Sequence, residues 1–479
     1  MLLPGRQWKS TETILALLVW AIAFAARAQS TLDPARVAAV VQAEMAQLQV
    51  PGVQLVVTQG DRVIYEKAFG VANVSTREPM TLEHRLRVGS ITKMMTGMTV
   101  VTLAAQHKVN LDAPVSRYIR VGPAVGRVTV RQALSHSGGL NATLVFVPRS
   151  DNRDEASLLA EIRKLSASDF FTEPGEVISY SNYGFMLAGE VAASVTGLPY
   201  ADAVRRQLLD PVGMSHSGFR FPIDPASGKL ADGHTLSVQV VAPIRTDAAW
   251  WPAGYMYSTA RDLAAFSIAV LNGGRVGGKQ VLSGDAVAHF HESVVDEPLA
   301  TDLGGSITRS ARYGYGINHS RWRGVRLLTH AGRLEGYGSI LTMAPDQKIS
   351  VAVLTNRLNA YLWSPAADII AQLATVGAQA APAAPVTLTA AERRECEGHF
   401  VNHPFDETLA VRGDRLIWSA ARSPLSENRE GEVRKLSDGT FEVLDKAGVR
   451  MAVFTLIRDA RGRVKYLARP DLRTLSKVP

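Results

Sequence analysis

Between Ala374 and Val386 the chain runs Ala-Thr-Val-Gly-Ala-Gln-Ala-Ala-Pro-Ala-Ala-Pro-Val, and the hydrophobic pattern differs on its two sides. An Ala/Pro-rich stretch of this kind is semi-extended and carries little core of its own. Upstream, apolar residues fall at helical spacing as well as in strand-like runs. Downstream they fall in short strand-like runs: Leu409–Arg412 and Arg415–Trp418 around a Gly413-Asp414 turn, then Phe441–Leu444, Val453–Leu456 and Val464–Leu467. Short strands at this spacing predict a small antiparallel β-barrel or sandwich. A chain of 479 residues also exceeds what one hydrophobic core ordinarily supports. The expectation is two folded units, 29–375 and 389–479, joined by a linker over 376–388.

Residues 1–28 read as an export signal. Arg6 and Lys9 form a basic n-region, Ile14–Ala26 is an uncharged apolar run, and Ala26-Arg27-Ala28 is a small-x-small cleavage site. Cleavage after Ala28 would deliver the chain to the periplasm or the exterior. The apolar run is shorter than the ~20 residues a membrane span needs, so no span is expected after cleavage. The single cysteine, Cys396, excludes an intramolecular disulfide, and stability has to come from core burial, which 46% hydrophobic residues can supply. A formal net charge of +8 without any basic run argues against a nucleic-acid partner.

Three short motifs carry chemistry. Ser90-Ile91-Thr92-Lys93 sits at a predicted helix start, before the helix-compatible run Met94–Gln106. Residues at i and i+3 share a helix face, so the Ser90 hydroxyl and the Lys93 amine can meet. Serine needs a base to take its proton, and a lysine held in a dry pocket can be that base. Tyr180-Ser181-Asn182 follows a Pro174-Gly175 turn and precedes a helical run, Tyr183–Thr196. There a phenol can relay a proton, and a carboxamide can hold a substrate carbonyl or the lysine. His330-Ala331-Gly332 closes the strand-like Val325–Thr329, and Gly332 would let a substrate backbone approach the strand edge.

Other features read as structural. Cys396, His399 and His403 have a metal-like spacing but no evident fourth ligand, and a strand entering the small domain accounts for them. His136 reads as a satisfied core histidine. Asn141-Ala142-Thr143 matches a glycosylation sequon inside a polar segment, 141–157, which with 219–246 is expected to rim a cleft.

In this order and spacing the three motifs resemble those of the serine β-lactamases and penicillin-binding-protein-like hydrolases, in particular the class C-related branch. Val128–Leu140, Pro252–Leu263, the hairpin Gly52–Gly70 and the late strands Ser339–Ala344 and Ile349–Asn356 extend the resemblance to about residues 33–375. It implies an α+β fold, an antiparallel β-sheet flanked by helices plus an all-helical subdomain. The C-terminal strands resemble the lipocalin-like domains appended to many of these hydrolases. It also implies Ser90 as nucleophile, Lys93 or Tyr180 or both as base, and the backbone N–H groups of Ser90 and Arg333 as oxyanion hole. Asn182, His330 and Gly332 would bind and orient substrate, with His330 hydrogen-bonding Tyr180 or a substrate carboxylate. No metal or cofactor is needed.

One position departs from the pattern. β-Lactamases of this branch typically carry Lys-Thr-Gly at the third motif, and His-Ala-Gly here looks more like soluble DD-peptidases, D-amino-acid-specific peptidases and esterases. A histidine carries positive charge only partly near neutral pH. The expected partner is a small molecule or peptide: a peptidoglycan-like peptide, a D-amino-acid amide, an ester or a β-lactam. The alternatives are a carboxylesterase of the same fold or a non-catalytic penicillin-binding-like sensor.

Overall fold

The computed structural model describes residues 31–142, 151–220, 229–241, 246–421 and 429–478. The expected export signal, Thr143 of the sequon and parts of the segments 141–157 and 219–246 lie outside the described residues.

Upstream of the linker, eight strands form one antiparallel sheet. They are β1 (Gly52–Gln59), β2 (Arg62–Gly70), β3 (Val295–Glu297), β4 (Ala311–Tyr313), β5 (Asn318–Trp322), β6 (Val325–Leu334), β7 (Tyr337–Ala344) and β8 (Ile349–Thr355). Their order across the sheet is β2-β1-β8-β7-β6-β5-β4-β3. The longer helices of this unit are α1 (Pro34–Gln47), α2 (Thr92–Ala105), α3 (Asn182–Thr196), α4 (Ala260–Leu271) and α5 (Trp363–Leu373). Helix α1 starts where Asp33 accepts the N–H groups of Ala35 and Arg36, with Pro34 at the first helical position. Helices α1 and α5 pack together over one face of the sheet, and α4 lies over β1 and β8 on the other. Covered on both faces, β7 and β8 are buried along their whole length. The α+β reading is therefore met, with α2, α3 and shorter helices forming the helical layer beside the sheet.

Helix α2 sits inside that layer. Twelve of its fourteen residues are buried, and a helix buried all round lacks a polar stripe. Two of its threonines find partners within the core: Thr92 Oγ1 donates to Gly89 O at 2.6 Å, and Thr96 Oγ1 lies 2.7 Å from Pro252 O and 2.8 Å from Tyr200 Oη. The close fit depends on Gly97, where an added Cβ would stand 2.0 Å from the carbonyl oxygen of Tyr315.

Downstream, helix α6 (Ala390–Cys396) precedes β9 (Gly398–Asn402), β10 (Phe405–Arg412), β11 (Arg415–Ala420), β12 (Arg429–Leu436), β13 (Phe441–Leu444), β14 (Arg450–Arg458), β15 (Val464–Ala468) and β16 (Thr474–Val478). They pair in the order β12-β11-β10-β9-β16-β15-β14-β13, and β13 pairs back onto β12, closing an eight-stranded antiparallel barrel. Closure leaves no free edge. Pro385 and Val386, the end of the Ala/Pro-rich stretch, pair with β12 from outside. Cys396 packs in the barrel core beside Phe400, Leu409 and Trp418, and His399 Nε2 lies 2.7 Å from Asp406 Oδ1.

Two details differ from the sequence reading. Strand β6 does not stop at Thr329 but runs through His330 to Leu334, paired residue by residue with β7. Strands β12 and β16 also carry no apolar alternation that announces them; only Gly431 and Val433 of β12 face the interior.

Substituting Gly97→Ala is expected to destabilise the protein by about 1–3 kcal/mol, because an overpacked Cβ must push a helix off a backbone carbonyl. The urea midpoint at constant m measures this, and an unchanged midpoint would contradict the packing described.

Candidate active site

The structure brings Ser90, Lys93, Tyr180, Asn182 and His330 to one cavity region. Ser90 lies in a 3-10 turn, Gly89–Ile91, that leads directly into α2. Gly89 adopts φ +51°, and a Cβ there would stand 2.5 Å from the backbone nitrogen of Arg333. The turn therefore lies flat against β6. Gly332 serves the same contact: its added Cβ would come within 1.9 Å of Val88 O. The close approach that Gly332 permits is thus to the chain's own backbone beside the serine.

Three residues after Ser90, at the second position of α2, Lys93 is 0% exposed. Its Nζ lies 3.1 Å from Ser90 Oγ, 2.7 Å from Asn182 Oδ1 and 2.5 Å from Ala253 O. It also stands 4.7 Å from the centroid of the Tyr180 ring and 5.5 Å from that of Phe185. Burial pushes the lysine far below its ordinary pKa. A neutral amine has two N–H groups and one lone pair. Two carbonyl oxygens, of Asn182 and Ala253, take both N–H groups, which leaves the lone pair for the Ser90 hydroxyl proton.

Tyr180 approaches the same oxygen from the other side, its hydroxyl donating to Ser90 Oγ at 2.8 Å. Burial raises its pKa, so the phenol holds its proton. Asn182 opens α3, and being the first residue of that helix aims its carboxamide back at Lys93.

The expectation for His330 is a hydrogen bond to Tyr180 or to a substrate carboxylate. The imidazole Nε2 pairs with the Tyr313 hydroxyl at 3.0 Å, and its Nδ1 lies 2.7 Å from Ala331 O. The hydrogen bond expected with Tyr180 is made with Tyr313 instead, and the two rings of Tyr180 and His330 are 6.5 Å apart. Burial beside Lys93 lowers the His330 pKa to about 3. The imidazole is neutral near pH 7 and does not stand in for the lysine of the usual third motif. His136, read from sequence as a core histidine, is buried against the Tyr180 ring at 4.2 Å between centroids, with Nδ1 accepting the Ser181 N–H at 3.2 Å. Burial holds it neutral as well.

The barrel completes the site. Pro470–Arg473, the turn between β15 and β16, lines the cavity of about 1000 Å³ onto which Ser90 opens. Leu472 takes φ +62° and accepts the Tyr180 N–H on its carbonyl at 2.7 Å. Asn402, 1% exposed, donates to Ser179 Oγ at 2.8 Å and to Thr474 O at 2.6 Å, and accepts the Ala142 N–H at 2.7 Å. A barrel side chain thus braces the residue next to Tyr180. No sequence signal pointed to these contacts or to Tyr313, because each comes from a segment outside the three motifs.

A family model described as Beta-lactamase matches residues 37–374. Among curated relatives, Protein flp of Staphylococcus aureus (strain N315) is 21% identical over 333 residues, which is 67% of this chain and 63% of that protein. Beta-lactamase-like protein 4 of Dictyostelium discoideum is 26% identical over 321 residues, 61% of this chain and 54% of that protein. The chain therefore spans less than two thirds of the length of these relatives. Among solved structures, SurE with D-Leu superposes with a TM-score of 0.73 at 22% identity, covering 92% of this chain and 99% of SurE. A class C β-lactamase gives 0.59 at 20% identity, covering 71% of this chain and 96% of its own. The octameric penicillin-binding protein homologue from Pyrococcus abyssi gives 0.61 at 22%, covering 93% and 100%.

The buried amine makes a signed prediction about stability. An unfolded lysine binds its proton up to about pH 10.4, whereas folded Lys93 releases it at lower pH, so the folded state binds fewer protons between the two values. Wild type should therefore gain stability as pH rises through that window and lose it as pH falls, by at most about 1.4 kcal/mol per pH unit. Lys93→Met removes this slope. Urea midpoints of the two proteins at several pH values between 6 and 10 measure the difference, and parallel curves would show that Lys93 is not depressed.

Proposed function

The chain belongs to the Beta-lactamase family, and from that premise we propose that it is an exported serine hydrolase working through a Ser90 acyl-enzyme. The observation that carries the proposal is the position of Ser90 Oγ, between Lys93 Nζ at 3.1 Å and the Tyr180 hydroxyl at 2.8 Å. In this mechanism Lys93 accepts the Ser90 proton as the oxygen attacks a carbonyl. Tyr180, whose phenol stays protonated, hands a proton to the leaving group, and the phenolate takes back the proton that Lys93 removed from Ser90. Asn182 holds the lysine in register and orients the substrate amide. The N–H groups of Ser90 and Arg333 are proposed to hold the oxyanion, a reading supported by the closeness of Arg333 N to Gly89. Water then resolves the ester, with no metal or cofactor in the cycle.

The acyl donor is proposed to be a D-amino-acid peptide or a β-lactam, a reading that draws on the similarity to class C enzymes and to SurE, whose structure was determined with D-Leu. One observation favours the esterase reading instead. His330 is neutral, so the third motif brings no cation to a substrate carboxylate. Both readings share the acyl-enzyme.

The test is intact-mass spectrometry of wild type and Ser90→Ala after incubation with a penicillin and with a panel of activated esters. An adduct or turnover present in wild type and lost in Ser90→Ala is expected. Equal labelling of Ser90→Ala would remove the nucleophile assignment, and labelling by esters alone would select the esterase.

A further inference from the structure

Carboxylates and arginines line the cavity together, and most are matched within the protein. Asp368 pairs with Arg36 at 2.5 Å, and Asp471 pairs with Arg473. Arg323 donates to Gly377 O at 2.6 Å and Arg333 to Asn359 Oδ1 at 3.1 Å. Asp302 accepts backbone N–H groups of Gly304 and Ser306 at 2.9 and 2.8 Å. Glu297 is different. It ends strand β3 and lines the same cavity as Ser90, yet it is 3% exposed, and among the described residues its carboxyl has no ion pair. One oxygen accepts a hydrogen bond from Asn318 Nδ2. The other has no hydrogen-bond partner among the described residues.

We propose that Glu297 and Asn318 form a subsite for a primary ammonium group on the acyl donor, placed along the cavity wall beyond His330 and Tyr313. This inference rests on the acyl-transfer reading above and names part of its substrate class.

The chemistry favours a cation over other ligands. A buried carboxylate needs an opposite charge or several donors to stay ionised, and the protein provides one donor from the Asn318 amide. Asp471, on the barrel turn that lines the same cavity, adds negative potential at Glu297. Burial and Asp471 push the Glu297 pKa up to about 8, so the acid rests neutral in a dry wall until a ligand cation enters. Arrival of an ammonium then displaces the carboxyl proton to solvent and leaves a charge-assisted hydrogen bond. The arginines do not compete for Glu297 because each is held by the partners named above.

Binding to a protein that cannot acylate separates this inference from the catalytic one. Ser90→Ala, with and without Glu297→Gln, is titrated calorimetrically with D-phenylalaninamide and with its uncharged N-acetyl derivative. Glu297→Gln is expected to weaken the amine about 10- to 100-fold while changing the N-acetyl compound less than twofold, which also reports an intact fold. Glu297→Asp, which keeps the carboxyl on a shorter arm, should recover part of the lost affinity. Unchanged amine affinity in Glu297→Gln, or equal weakening of both ligands, would overturn the subsite. Loss of Ser90-dependent labelling in the mass experiment would instead overturn the catalytic reading and leave this binding result standing.

Discussion

Everything at this site depends on keeping one lysine out of water. Lys93 is drawn into a helical layer where its amine meets two carbonyl oxygens and one hydroxyl and, among the described residues, no carboxylate. An anionic partner would hold the proton on the amine; neutral dipoles with burial do the reverse. The two N–H groups are then fixed by Asn182 and Ala253, and the direction of the lone pair is fixed with them. On the proposed mechanism Ser90, otherwise a weak nucleophile, faces the lone pair of a buried amine.

That arrangement is held by glycine contacts at three places. Gly97 lets the nucleophile helix touch the Tyr315 carbonyl, while Gly89 and Gly332 let the serine turn lie against β6. The barrel adds a further support, through Asn402 at Ser179 and the Leu472 carbonyl at the Tyr180 N–H. The small unit is therefore part of the wall of the candidate site, through Pro470–Arg473 as well as Asn402.

Local chemistry was legible in the sequence, and long-range chemistry was not. Ser90 and Lys93 meet because they are one helical turn apart, and Asn182 reaches the lysine because it begins a helix, both properties of short segments. The sheet hairpin Gly52–Gly70 and the turn Gly413-Asp414 were visible for the same reason. Strand β12 was hidden because a barrel strand with Gly431 and Val433 as its inward pair looks like a charged loop. The extension of β6 was hidden because His330 and Gly332 resemble punctuation, although pairing with β7 keeps them in the sheet. The partner of His330 is Tyr313, seventeen residues away across a turn and a neighbouring strand. Glu297 lies in a three-residue strand with no pattern at all, and its isolation from cations becomes visible only once the arginines are placed.

The most direct test of the central claim is the titration of Lys93 itself. Protein labelled with ¹³C at lysine Cε, followed by NMR from pH 5 to 11 and assigned by the signal lost in Lys93→Met, reports that amine alone. The account predicts one lysine titrating well below the ordinary value of about 10.4, apart from the rest. A Lys93 signal titrating with the others would mean that the amine is charged at neutral pH, and the assignment of Lys93 as base would fail.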